Sequence, residues 1–269
     1  MPAEKPAPRL HALLARESPM AVLIRRGPSK QTAVIGWDRS TDTFTLGQWL
    51  KGNMYHYRCD ISPDGKHWIY FACKGAGAYA VMAKTPYLKA VDFYAKGDSY
   101  EGGGLFISNK KYWLNDSYFD RAKFQQRSAF EVAGKSASPD AGCPGVYFPK
   151  LARDGWHYVE STRNREGGTA CVFTKQTCGG WHLIKHFITS CCPPHGKGIH
   201  TEGHLLRNAD SGAELAFPDW EWADYDGSRL LWAARGRVQT APLSPDGLGD
   251  VRELFDAAPM AFAALEAPY

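Results

Sequence analysis

Four of the chain's seven cysteines and five of its nine histidines fall between Cys171 and His204. In order they are Cys171, Cys178, His182, His186, Cys191, Cys192, His195, His200 and His204. Thiolate and imidazole are the donors of tetrahedral zinc. Cys191, Cys192 and His195 are close enough in sequence to share one ion, with Cys178 or His200 as the fourth ligand, so zinc is the cofactor this pattern implies. A metal would also order a loop that has little apolar content of its own. Two other readings stay open: a surface loop without a ligand, or cysteines that act as redox or nucleophilic groups. The segment has no Cys-x-x-Cys pair, and Cys171 and His182 fall on expected strands, where a small buried cysteine is commonplace.

Basic residues alternate with aromatics at Lys84–Lys96 and Lys110–Arg127. The second stretch holds Tyr112, Trp113, Tyr118, Phe119 and Phe124. Such a surface can stack bases or hold an acidic partner. The same pattern arises where inward aromatics pack between sheets and the lysines are solvated. Trp113, Tyr118 and Arg121 are of the residue types that anchor protein interfaces. Gly102-Gly103-Gly104 is best explained by close backbone approach. Gly75-Ala76-Gly77-Ala78 lies between two expected strands, so a dinucleotide fingerprint fails its context. No P-loop, Gly-x-Ser-x-Gly elbow or His-Glu-x-x-His is present.

The elements that position these groups follow from turn chemistry. Arg58–Ala72 reads as a strand, a Pro63-Asp64-Gly65 turn and a second strand rich in aromatic and β-branched residues. Strands are expected at Met20–Arg26, Gln31–Trp37, Thr43–Leu50, Ala78–Ala83, Lys89–Tyr94, Leu105–Ser108 and Lys111–Leu114. Leu10–Arg16 is a short helix or a first strand. Residues 115–142 read as polar and irregular. Gly145–Leu151, Asp154-Gly155 and Trp156–Ser161 read as another hairpin, flanked by strands at Cys171–Lys175 and Trp181–Thr189. A loop is expected at Ser190–Gly203. Strands at Trp220–Asp224, Leu230–Ala234, Val238–Pro242 and Val251–Phe255 follow, and the Ala-rich tail Ala257–Tyr269 is expected to return to the first unit.

The turns at Ser18, Gly65, Asn109, Gly155 and Gly227 lie 47, 44, 46 and 72 residues apart. Three of these intervals match the repeat of four-stranded propeller blades. The expected fold is all-β, a five-bladed β-propeller of about four strands per blade. Residues 1–9, with three prolines, read as a flexible lead-in, and residues 10–269 as a single propeller domain.

The 269 residues are 44% hydrophobic and 22% charged, enough for a large core. A net charge of +4 disfavours nucleic acid as the partner. The N-terminal Met-Pro-Ala-Glu-Lys-Pro is unlike a secretory signal, and no stretch is apolar enough to span a membrane. Seven cysteines without small-scaffold spacing argue against a disulfide framework, so a cytoplasmic protein is expected.

Asp60-Ile61-Ser62-Pro63-Asp64-Gly65-Lys66-His67-Trp68-Ile69-Tyr70 resembles the Ser-Pro-Asp-Gly-Lys hairpin of WD40-like and TolB-type propeller repeats. Ala223–Trp232 is similar, and the other three units match in shape. The resemblance implies fold more than activity. Some five-bladed propellers are glycosidases with carboxylates along the axial funnel, which would make Asp60, Glu101, Glu160 and Asp224 the acid and base candidates here. No catalytic constellation stands out. The expected role is a binding module that holds a protein partner through rim loops, with residues 115–142 and 190–204 as the rim. The alternative is an enzyme or metal-binding protein with its site in the funnel or in the segment 171–204.

Overall fold

The computed structural model describes residues 6–28, 30–75, 77–134, 143–163, 168–193 and 198–269. The first five residues of the expected lead-in, residues 135–142 of the expected rim, and His195 lie outside the described residues. Five sheets follow one another along the chain in the arrangement of a five-bladed β-propeller, with about four strands per blade. By their contacts they fall into two compact units, residues 1–150 with 260–269, and residues 151–259.

The first unit holds three sheets. The first is a meander of β1 (Arg9–Leu14), β2 (Met20–Arg26), β3 (Gln31–Asp38) and β4 (Thr43–Lys51). The second joins β5 (Asn53–Met54), β6 (Asp60–Ile61), β7 (His67–Lys74), β8 (Gly77–Lys84) and β9 (Ala90–Ala95). The third is built from β10 (Gly104–Ser108), β11 (Lys111–Leu114) and, parallel to β11, β13 (Glu131–Ala133); β12 (Phe124–Gln125) pairs with β9.

Strand β7 shows why its sequence is an unbroken aromatic and aliphatic run. Side chains alternate across a strand. Trp68, Tyr70 and Ala72 enter one core with Leu13, Val22, Ile24 and Val34 of the first sheet. Ile69 and Phe71 enter another with Phe106 and Tyr112 of the third. A strand covered on both faces has no polar side, so it reads as continuous hydrophobicity. Trp68 and Tyr70 still need partners for their polar atoms. Trp68 Nε1 donates to the Tyr87 carbonyl at 2.7 Å and the Tyr70 hydroxyl to that of Leu88 at 2.6 Å.

The expected turn at Gly65 is present. His67 N donates to Ser62 Oγ at 3.0 Å, and Ser62 Oγ to Asp64 Oδ1 at 2.7 Å. Gly65 has φ +74°, and a Cβ there would lie 2.5 Å from that of Met20. Only glycine fits both demands.

The tail returns to the first unit as expected, through side chains rather than as a strand. Arg25 Nη2 donates to the Met260 carbonyl at 3.2 Å, Gln48 Nε2 to that of Leu265 at 2.8 Å, and the Tyr269 hydroxyl to that of Lys89 at 2.6 Å.

One expected hairpin is corrected. Gly145–Leu151 is not a strand: it lies in the helix α1 (Pro144–Arg153). Val146, Tyr147 and Leu151 share its buried face. Asp154-Gly155 closes the helix instead of turning a hairpin. Gly155 has φ +85°, and Trp156 N donates to the Leu151 carbonyl at 2.9 Å.

The second unit holds β14 (His157–Arg163), β15 (Thr169–Gln176), β16 (Trp181–Thr189), β17 (His200–Asn208) and β18 (Glu214–Phe217) in one sheet. The next has β19 (Trp220–Tyr225), β20 (Leu230–Ala234), β21 (Arg237–Ala241) and, after the short pair β22 (Leu243–Ser244) and β23 (Gly247–Leu248), β24 (Arg252–Asp256). The loop expected over Ser190–Gly203 is shorter, because β17 begins at His200 and Ser190 N donates to the Ile199 carbonyl at 2.8 Å. No helix among the described residues is long and apolar enough to cross a membrane.

Candidate functional site

The segment from Asn115 to Lys123 leaves β11 at its buried end and runs out to solvent. Its root is set by Gly102 and Gly103, the two glycines before β10. Gly102 and Gly103 have φ +93° and +82°. A Cβ on the first would overlap the Phe71 ring, and one on the second the Arg58 carbonyl. The close approach expected of these glycines is what the structure shows. It lets Gly102 N donate to the Asn115 carbonyl at 2.7 Å and Asn115 N to that of Gly103 at 2.9 Å.

Two buried carboxylates then hold the loop. Glu101, 1% exposed, accepts from Ser117 N at 2.6 Å and from Ser117 Oγ at 2.7 Å. Asp116, 4% exposed, accepts from Tyr118 N at 3.0 Å and from the Tyr94 hydroxyl at 2.5 Å, with Lys96 Nζ at 3.5 Å. The same Tyr94 oxygen accepts from Asp120 N at 3.1 Å. Burial first, then the bond to Asp116, push the Tyr94 hydroxyl up to about 12, so it stays a donor. Asp120 in turn caps the 3-10 turn Arg121–Lys123 by accepting from Ala122 N at 3.0 Å.

What this scaffold presents is apolar and aromatic. Tyr118 is 83% exposed. Phe119 leans on Tyr94 and Phe124 with ring centroids 4.9 and 5.6 Å away. The Arg121 guanidinium lies 4.9 Å over the Phe124 ring and donates to Gln126 Oε1 at 3.1 Å. A pocket of about 410 Å³ opens beside them, lined by Leu114, Asp116, Ser117, Phe119, Arg121, Val132, Ala133 and Gly134.

The structure therefore brings Tyr118 and Arg121 together on one loop. Trp113 is elsewhere: it is 3% exposed and packs with Leu105 and Val146. Both faces of β11 are covered, so the alternation of Tyr112 and Trp113 feeds two cores and leaves no aromatic edge outward.

The Cys and His residues are spread out. Cys191 and Cys192 are exposed, and His195 is not among the described residues. Cys178 donates to the Leu243 carbonyl at 2.9 Å, and His200 stacks on Phe187 with its Nδ1 3.1 Å from Thr189 Oγ1. No group of three His, Cys, Asp or Glu suited to a metal ion occurs among the described residues. All seven cysteines are thiols.

The four acid and base candidates have different surroundings. Asp60 accepts from Phe106 N at 2.8 Å, Glu101 holds Ser117, Asp224 pairs with Lys175 at 2.6 Å, and Glu160 lies on the exposed strand β14.

A charged cluster in the second unit escapes sequence reasoning. Lys185 Nζ lies 3.0 Å from Glu202 Oε2 and 4.7 Å from the Trp156 ring center. His204 Nε2 is 3.4 Å from the same oxygen, and its Nδ1 is 3.2 Å from the Trp220 carbonyl. Burial holds the His204 imidazole below its usual value despite Glu202. The one available signal was Lys185 sharing a strand face with Leu183 and Phe187 in an apolar run.

No family model matches the chain, and no curated protein matches it. Solved structures do show similarity. A variant of the isopeptidase AtxE2 aligns at 10% identity with a TM-score of 0.43, over 95% of this chain and 54% of that one. An uncharacterized protein of Listeria monocytogenes aligns at 9% identity and 0.39, over 94% and 96%. The GH43 protein BlXynB from Bacillus licheniformis aligns at 9% identity and 0.36, over 97% and 59%. The chain thus spans about half the length of the isopeptidase.

Proposed function

We propose that this chain is a binding module that holds a protein partner through the loop Asn115–Lys123. One observation carries the reading: Tyr118 is 83% exposed on a loop whose neighbours are held by Glu101, Asp116 and Tyr94. A large exposed aromatic on a backbone already fixed loses little entropy on binding. Tyrosine and arginine beside a pocket of mixed polar and apolar lining are the composition of interface anchors. The Ser-Pro-Asp-Gly hairpin supports reading the blades as WD40-like repeats, a fold that offers rigid rims for such loops. Seven thiols support a cytoplasmic setting.

The test is proximity labelling of partners by the intact chain, with the affinity of the recovered partner then measured for the parent and for a Tyr118→Ala, Arg121→Ala variant. The partner recovered by the parent should bind the variant roughly 30-fold more weakly, the size of one anchor of about 2 kcal/mol. Equal affinity for both proteins would sink the reading.

A further inference from the structure

A different rim of the first unit carries a second site. β3 begins, β4 ends, β5 begins and β7 ends at this rim, as their register shows: Gln31 faces Lys51, and Asn53 faces Cys73. Lys30, Lys51 and Lys74 are therefore brought to one edge. All three are exposed, and all three line a recess of about 380 Å³ together with Gln31, Gly52 and Cys73. Segments 25–31, 49–55 and 72–78 contain no Asp or Glu.

Three like charges around one concavity repel one another, and a concave wall concentrates their field. Two details hold them there. Lys30 has φ +56°, a conformation that favours glycine or asparagine when turn geometry alone decides. The Lys51 ammonium rests 4.5 Å over the Phe262 ring, and Gly52 N donates to the Lys30 carbonyl at 2.8 Å. Each ammonium is a compact charge at the end of a flexible four-carbon stem. An anion with several linked charges answers three cations better than a single carboxylate or orthophosphate does, and lysine ammonium groups are common point-charge ligands of phosphate.

We propose that this recess binds a small soluble anion carrying two or more linked phosphate groups. It is independent of the loop at Tyr118.

The probe is tripolyphosphate, titrated calorimetrically into the full chain. Binding is expected, and it should weaken about tenfold or more between about 50 and about 200 mM salt. Orthophosphate should bind more weakly than tripolyphosphate. Replacing Lys30, Lys51 and Lys74 together by Ala should weaken binding at least about tenfold, with the circular dichroism spectrum unchanged because all three are exposed. Tripolyphosphate should also slow alkylation of Cys73, read by site-resolved mass spectrometry, in the parent and not in the triple variant. Absence of binding, equal binding to the variant, or unaltered Cys73 alkylation overturns the proposal. So does tighter binding of a single-stranded oligonucleotide than of tripolyphosphate, since the ligand would then be a polymer.

Discussion

Tyr94 donates its hydroxyl proton to Asp116 across 2.5 Å, and the same oxygen receives the backbone N–H of Asp120. One hydroxyl thus joins the buried root of the loop to its exposed turn. Tyr94→Phe leaves the ring packing and removes both bonds. We expect a stability loss of about 1–3 kcal/mol in urea titration, because a buried carboxylate and an amide each lose a partner. Tyr118→Ala should change stability by less than about 0.5 kcal/mol. Both should weaken the partner, the first through loop order and the second through lost contact.

The Lys185–Glu202 pair is expected to follow the asymmetry of buried charges. Lys185→Met takes the ammonium away from the fully buried Glu202 carboxylate, which still faces His204. The expected cost is about 3–5 kcal/mol, measured by chemical denaturation. Lys185→Met with Glu202→Gln should recover most of that loss. If the double variant is as unstable as the single one, the pair is not what the cluster depends on.

Stability should fall in mild acid. Burial depresses the His204 imidazole below its usual 6.5, and its neighbours are Glu202, Lys185 and the Trp220 carbonyl. Below that value the unfolded chain takes up a proton that the folded chain refuses. The stabilisation is therefore complete above the unfolded value and is lost as pH falls below it. His67 in the first unit is depressed by burial in the same direction. Melting temperatures should decline below about pH 6.5, the unfolded histidine value, and His204→Gln should flatten part of the decline. An unchanged slope in that variant would assign the effect elsewhere.

Gly102 and Gly227 separate two costs. Both have φ +93°. A Cβ on Gly102 would overlap Phe71, whereas one on Gly227 would meet nothing within 4 Å. Gly227→Ala should cost about 1–2 kcal/mol for conformation alone. Gly102→Ala should cost at least about 1–3 kcal/mol more, because a packed ring must move. Thermal denaturation of the two variants gives the difference directly.

The propeller was legible because four of the five expected turns, at Ser18, Gly65, Asn109 and Gly227, join antiparallel strands and are set locally. Ser62, Asp64 and Gly65 act on one another within a few residues, and so do Asp226 and Ser228, with bonds of 2.8 and 3.1 Å. The helix Pro144–Arg153 was misread because Asp-Gly serves a helix end as well as a hairpin. At the candidate site, the interleaved aromatics pointed to Tyr118 and Arg121. Nothing local separates them from Trp113, whose burial depends on Val146, far along the chain. Glu101, which holds the loop, and Asp60, which holds β10, looked like possible acids and bases. Their partners, Ser117 for Glu101 and Phe106 for Asp60, are set by how strands from different parts of the chain come together.

Strand β7, with Trp68 and Tyr70 in one core and Ile69 and Phe71 in the other, restricts how this chain can vary in length. Inserting or deleting one residue there would exchange every side chain between the two compartments, putting rings into spaces shaped for their neighbours. Natural length variation should therefore be absent from residues 67–74 and concentrate in loops such as 209–213, whose residues are all exposed, so that an added residue displaces only solvent.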